Sequence, residues 1–191
     1  LTFVSTSPVG DTRAEPLFRR LAASFEFIAE GYKPRYATRR YDNLELGMRM
    51  DYPEQFSCHE GVLGAVVSFV EDLPGEEFTA HVNFVCHRLE EMQLTGDLDQ
   101  FNDVIKQQMP SFVQNATVEE EREAKLGGLT CRHLKYRGTL SNFEAVFVQR
   151  FTIRQGRAYI ISFAIQASLF DAAWPRIEAV CFDSFCFPDD D

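Results

Sequence analysis

The chain has 191 residues, 45% of them hydrophobic, with 18 phenylalanines and a formal net charge of −10 at pH 7. That is enough apolar surface for one folded domain plus an appendage, so composition excludes disorder and leaves two complete domains cramped. The acidic balance excludes wrapping a polyanion, which needs clustered Lys and Arg, and no nucleic acid is expected as a partner.

The start of the chain echoes its end. Laying Leu1–Phe27 over Ile161–Phe187 without a gap matches Phe3 with Phe163, Asp11 with Asp171, Ser24 with Ser184, Phe25 with Phe185 and Phe27 with Phe187. Leu1–Ser7 alternates like a strand, and Thr12–Phe25 has helical spacing behind a capping Asp11. Residues 1–28 are therefore expected to be a β-α remnant resembling the end of a preceding repeat. Since Leu1 is not an initiator methionine, the chain is expected to be a piece of a longer tandem array. Basic residues from Arg13 to Arg40 are read as a solvated helix face and linker. The Gly, Pro, Lys and Arg of residues 29–41 predict that linker, residues 42–188 a complete domain, and Asp189–Asp191 an acidic tail.

Within the main domain, Leu44, Leu46, Met48, Met50 and Tyr52 alternate with polar residues and predict a strand ending at Pro53. A second strand is expected over Val62–Val70 and, after Pro74-Gly75-Glu76, a third over Phe78–Leu89 with Ala80, Val82, Phe84 and Cys86 on its core face. Asp97 is placed to cap a helix through Leu98, Phe101, Val104, Ile105 and Met109, which Pro110 ends or bends. Val118–Lys125, Leu129–Gly138, Phe143–Ile153 and Ala158–Ala167, separated by Gly127-Gly128 and Arg154-Gln155-Gly156-Arg157, read as antiparallel hairpins. Asp171 is expected to begin a last helix with Trp174, Ile177 and Val180 inward. Many antiparallel strands with two separated helices predict an α+β fold, a twisted sheet with helices on its two faces.

Several of these segments, in this order, carry a resemblance. Asp51-Tyr52-Pro53, the Leu94–Pro110 region, Leu126-Gly127-Gly128-Leu129 running into Leu134-Lys135-Tyr136, Gln149–Tyr159 with its Gln-Gly-Arg-Ala-Tyr hairpin, and Ser184-Phe185 resemble the PsbP family. That family is named for an extrinsic subunit of photosystem II; its relatives are the Mog-type Ran-binding proteins and the effector-associated chaperones of type VI secretion. The resemblance spans about residues 42–187. It implies an αβα sandwich around an antiparallel sheet of about six strands. It implies no enzyme, because the better-known members bind a membrane complex, a small GTPase or a secreted effector. The acidic surface motif of the Ran-binding members is not matched residue by residue.

Motifs for chemistry are sparse. The sequence contains no G-x-S-x-G elbow, no phosphate loop and no dinucleotide turn. His59-Glu60 opens like a zinc-protease helix, but Leu63 stands where the second histidine belongs. His81 and His87 share one side of their strand at roughly 20 Å, given about 3.3 Å per residue, too far for one metal; Cys131 or His133 beside either would make a zinc or copper site possible. Glu119 and Glu121 are expected on one side of a solvated edge strand, with Glu120 on the other. Trp174 with Phe182, and Phe143, Phe147 and Phe151, fit core periodicity better than an aromatic ligand pocket. Five widely spaced cysteines without C-x-x-C suit reduced thiols in an intracellular compartment. No apolar run approaches the roughly 20 residues of a membrane span. No catalytic, cofactor-binding or metal-binding residue is assigned and no cofactor is expected. The sequence reading is a noncatalytic protein-binding or scaffold module of a larger assembly, in contact with an adjacent repeat. The alternatives are a regulator of a small GTPase of the Ran type and a ligand or metal site around His81, His133 and Cys131.

Overall fold

The computed structural model describes residues 36–71 and 78–188. The chain divides into two units, residues 1–35 and 36–191. The expected β-α remnant, most of the linker, the Pro74-Gly75-Glu76 turn and the acidic tail lie outside the described residues.

The described unit opens with a hairpin of β1 (Thr38–Asn43) and β2 (Met48–Pro53). Four of its residues, 38–41, fall where a linker was expected, because Tyr41 buries its ring and Arg40 pairs with Asp51 across the hairpin. The expected strand from Leu44 is correspondingly shorter. Asn43 Oδ1 accepts from the Leu46 N–H at 3.0 Å, and Gly47 takes φ +57°. This Asx-type turn leaves Leu44 92% exposed, while Met48, Met50 and Tyr52 keep the expected inward alternation.

A seven-stranded sheet follows, antiparallel throughout, in the order β3-β4-β5-β9-β8-β7-β6. Its strands are β3 (Phe56–Glu60), β4 (Val67–Glu71), β5 (His81–Arg88), β6 (Gln114–Leu126), β7 (Leu129–Leu140), β8 (Phe143–Arg154) and β9 (Arg157–Gln166). The Val62–Val70 segment is a strand only from Val67. Gly61, Leu63 and Gly64 all have positive φ, which breaks the ladder and makes residues 61–66 a loop after the unanticipated strand β3.

Helix α1 (Leu98–Phe112) begins as expected, with Asp97 Oδ1 accepting from the Asp99 and Gln100 N–H groups at 2.7 and 3.0 Å. It ends at Phe112, two residues past Pro110. Helix α2 (Phe170–Ile177) starts one residue before Asp171 and continues into a π-helical turn over Glu178–Phe182.

The alternation of β8 and β9 divides two cores. Val146, Val148, Ile161 and Phe163 face the β1–β2 hairpin, α2 and the closing Phe185 and Phe187. Phe147, Phe151, Ile160 and Ala164 face the opposite way, toward Phe101 and Met109 of α1. The two helices thus lie on opposite faces. Phe147, Phe151 and Phe182 are core, and the half-buried Trp174 packs on it, stacking on Phe163 at 5.9 Å, while Phe151 meets Phe101 edge-on at 5.5 Å; Phe143 is half-buried and stacks on Phe78 instead.

Of the described glycines, Gly138 is the one its surroundings approach most closely. A Cβ there would lie 2.4 Å from Val113 Cγ1 and 2.8 Å from the Gln114 carbonyl oxygen, where α1 turns into β6. Since one contact is backbone, Gly138→Ala should lower unfolding stability by about 1–3 kcal/mol, read as a lower urea midpoint at unchanged slope.

Candidate functional site

Helix α1 packs over the β6, β7 and β8 part of one sheet face, which we call the back. At the β3–β4–β5 end of that face an open groove of about 500 Å³ runs beneath the 61–66 loop. The register explains its lining. His59 lies opposite Ser68 and Ser68 opposite Asn83, while Val70 lies opposite His81, so these side chains share the back face. Ala80, Val82 and Phe84 alternate to the front and are buried, leaving Val85 and His87 to complete the strand's contribution.

The groove is apolar with hydrogen-bonding groups set into it. Val62 is 42% exposed and Leu63 fully exposed on its loop rim. Ser57 Oγ and His59 Nε2 are 2.9 Å apart, but the Ser57 hydroxyl also reaches the Val70 carbonyl at 3.2 Å. Among the described residues no carboxylate orients His59, so this pair lacks the third member of a nucleophilic triad. Burial holds His81 below the usual imidazole pKa, opposed by a long contact of Nδ1 with the Thr79 carbonyl at 3.4 Å. A polar row leaves the groove along the sheet: Asn83 faces Ser162, and Ser162 Oγ accepts from Gln149 Nε2 at 3.1 Å.

The other expected chemistry is on the opposite face. Cys131 and His133 belong to the front core, whereas His81 and His87 point to the back. The site imagined around His81, His133 and Cys131 does not assemble, because the β7–β8–β9–β5 register puts a sheet between its members. Burial pushes the Cys131 thiol up to about 11, far from the thiolate that binds metal. No group of three His, Cys, Asp or Glu side chains among the described residues could hold a metal ion. His59-Glu60 is part of strand β3, not of a helix.

The carboxylates of β6 are rearranged by a register irregularity between Val118 and Glu120. Glu119 pairs with Lys135 and Arg137 at 3.0 and 2.8 Å on the front, and Glu120 lies on that side too, 4.0 Å from His133. Glu121 accepts from Asn102 Nδ2 of α1 at 2.6 Å on the back. The expectation that Glu119 and Glu121 share a side fails because a bulge adds one residue to the count.

Sequence reasoning passed over Arg150, a charge that follows Val146 and Val148 on the front-facing alternation of β8. The residue is 5% exposed, and its guanidinium donates from Nε to His133 Nδ1 at 3.3 Å, pairs with Asp183 at 3.1 Å and bonds Glu178. The contact fixes the His133 tautomer with its proton on Nε2. This network ties the π-helical turn to the sheet, and all its members are accounted for without a ligand.

Burial, then Arg122 and Arg150, lowers the His133 pKa to about 4. An unfolded histidine titrates near 6.5, so the unfolded chain binds the extra proton first as pH falls. Stability from this group is present above about pH 6.5 and declines toward pH 4, by roughly 3 kcal/mol at most. His133→Gln should flatten that part of the stability–pH curve, and NMR should show the wild-type imidazole neutral at pH 6.

The sequence matches no known family and no curated protein. Among solved structures, cyanobacterial PsbP (CyanoP) from Synechocystis sp. PCC 6803 is similar at TM-score 0.56 and 16% identity, over 83% of this chain and 97% of that one. LpqN, involved in cell envelope biogenesis of Mycobacterium tuberculosis, is similar at 0.51 and 9% identity over 73% and 82%. PA94 of Pseudomonas aeruginosa, described as a putative regulator of unknown function, is similar at 0.50 and 12% over 74% and 92%. At these identities the likeness is one of fold: an antiparallel α+β sheet of the PsbP-like kind.

Proposed function

We propose that residues 36–188 form a noncatalytic protein-binding module, one unit of a tandem array within a larger assembly. The observation that carries this reading is the half of the back face that no layer of the described residues covers. A sheet normally covers an apolar face with another layer, and here Val62, Leu63, Val70 and Val85 border a groove that α1 leaves open. Ser68, Asn83 and the three histidines supply hydrogen bonds that orient an occupant, while apolar contact supplies most of the affinity. The groove has the mixed character of a protein-recognition surface rather than of a catalytic centre, since among the described residues its imidazoles have no acid partner and no nucleophile is activated. The echo of residues 161–187 at the start of the chain supports the tandem arrangement.

The test is the parent protein isolated from its native source under mild conditions, alongside a Val62→Asp/Leu63→Asp variant expressed in its place. Both side chains are exposed, so the fold should tolerate the change. A defined set of proteins should accompany the wild type in fixed ratio and be lost from the variant. Recovery of the wild type as a solitary protein, or an identical set with both, would refute the reading.

A further inference from the structure

We propose that two copies of this chain pair through the outer edges of β3, antiparallel and centred on Cys58. The inference goes beyond the binding groove and stands on a different feature, the backbone of the sheet's edge. Strand β3 ends the sheet, and among the described residues β4 is its only neighbour. The Gly61 N–H donates to the Val66 carbonyl at 3.1 Å. Antiparallel ladders alternate bonded and non-bonded pairs, so Ser57 with Val70 and His59 with Ser68 are the bonded pairs of this ladder. Strand β4 agrees, because Glu71 bonds across to Ala80 of the next strand. The N–H and C=O groups of Phe56, Cys58 and Glu60 therefore point outward.

The two sheet edges are built differently. Strand β6 carries Glu119 to Glu123 and two register irregularities, the usual guards against edge pairing. Strand β3 has no irregularity, no proline and no lysine, and its single charge is Glu60.

A two-fold axis through Cys58 makes this edge complementary to itself. Phe56 then faces Glu60 of the second copy, Ser57 faces His59 of the second copy, and Cys58 faces Cys58. Every residue with outward groups meets another such residue, and each pair exchanges N–H···O bonds in both directions. A slip of one residue would oppose outward groups to inward ones, and a slip of two would shorten the overlap. No like charges meet, because Glu60 lies across from an aromatic ring. A closed, self-complementary contact of this kind is the commonest form of association between identical chains. It would join the two sheets and set both grooves on the same side.

Sedimentation equilibrium of the full chain, with and without mild diamide oxidation, tests the proposal. A reversible dimer is expected. Diamide, accepting the two electrons and two protons released by two thiols, should trap it through a Cys58–Cys58 disulfide. The Cα separation of about 5.5 Å in a bonded pair suits that bridge. Cys58→Ser should keep the dimer and lose the cross-link. Cys58→Lys, at an exposed side chain, opposes two ammonium groups and should weaken association about fivefold. A monomer at all concentrations up to about 100 μM, or a dimer that forms no Cys58 link and ignores Cys58→Lys, would overturn the proposal.

Discussion

Strand β9 is buried on both faces, and the rest of the domain is arranged around it. Its residues alternate Tyr159, Ile161 and Phe163 to the front with Ala158, Ile160 and Ala164 to the back. A strand with two apolar faces must be central and needs a layer on each side. The front layer is built from the β1–β2 hairpin, α2 and the closing Phe185–Phe187 segment. Among the described residues the back layer is α1, one helix against a sheet of seven strands. A single 15-residue helix is about 22 Å long at 1.5 Å per residue, too little to cover strands spaced about 4.8 Å apart from β6 to β3. The groove is the part of the back face that α1 does not reach.

The front layer is held by a different kind of interaction. Arg150 sits in the sheet and binds Glu178 and Asp183, at the two ends of the π-helical turn. A lone buried guanidinium would be unfavourable, and it is stable here because each of its three nitrogens has a partner, two carboxylates and His133. The same cation helps keep His133 neutral, so the polar cluster is both a clamp and a closed system. Its chemistry is spent on packing. This is why a reading of function rests on the open back face instead.

The two edges of the sheet divide the surface further. On β6 the ion pairs of Glu119 with Lys135 and Arg137 hold the carboxyl below the usual carboxylate range, hydrogen bonds to the two cations being the main cause. That edge is charged, bulged and exposed. On β3 the outward backbone groups are accompanied by little charge. The groove lies directly behind this second edge, so the unguarded features of the domain are gathered at one end of the sheet.

Local pattern alone determined much of this protein. The period-two alternation in β5, β8 and β9, the Asp97 cap and the Gly127-Gly128 and Gln155-Gly156 turns are written into neighbouring residues, so the antiparallel α+β class was legible without coordinates. Turn chemistry at Asn43–Gly47 and Gly61–Gly64 was also present in the residues, yet apolar alternation outweighed it and two strands were read too long. Residues far apart in sequence were a different matter. Whether His81 meets His133 depends on strand order and register, which put them on opposite faces. Whether Glu119 or Glu120 accompanies Glu121 depends on one bulge. Arg150 became a clamp only when a helical turn 28 residues later folded back onto β8. Among the described residues the groove is the part of the back face that one helix does not cover, a relation of sizes and positions that no short stretch of sequence contains.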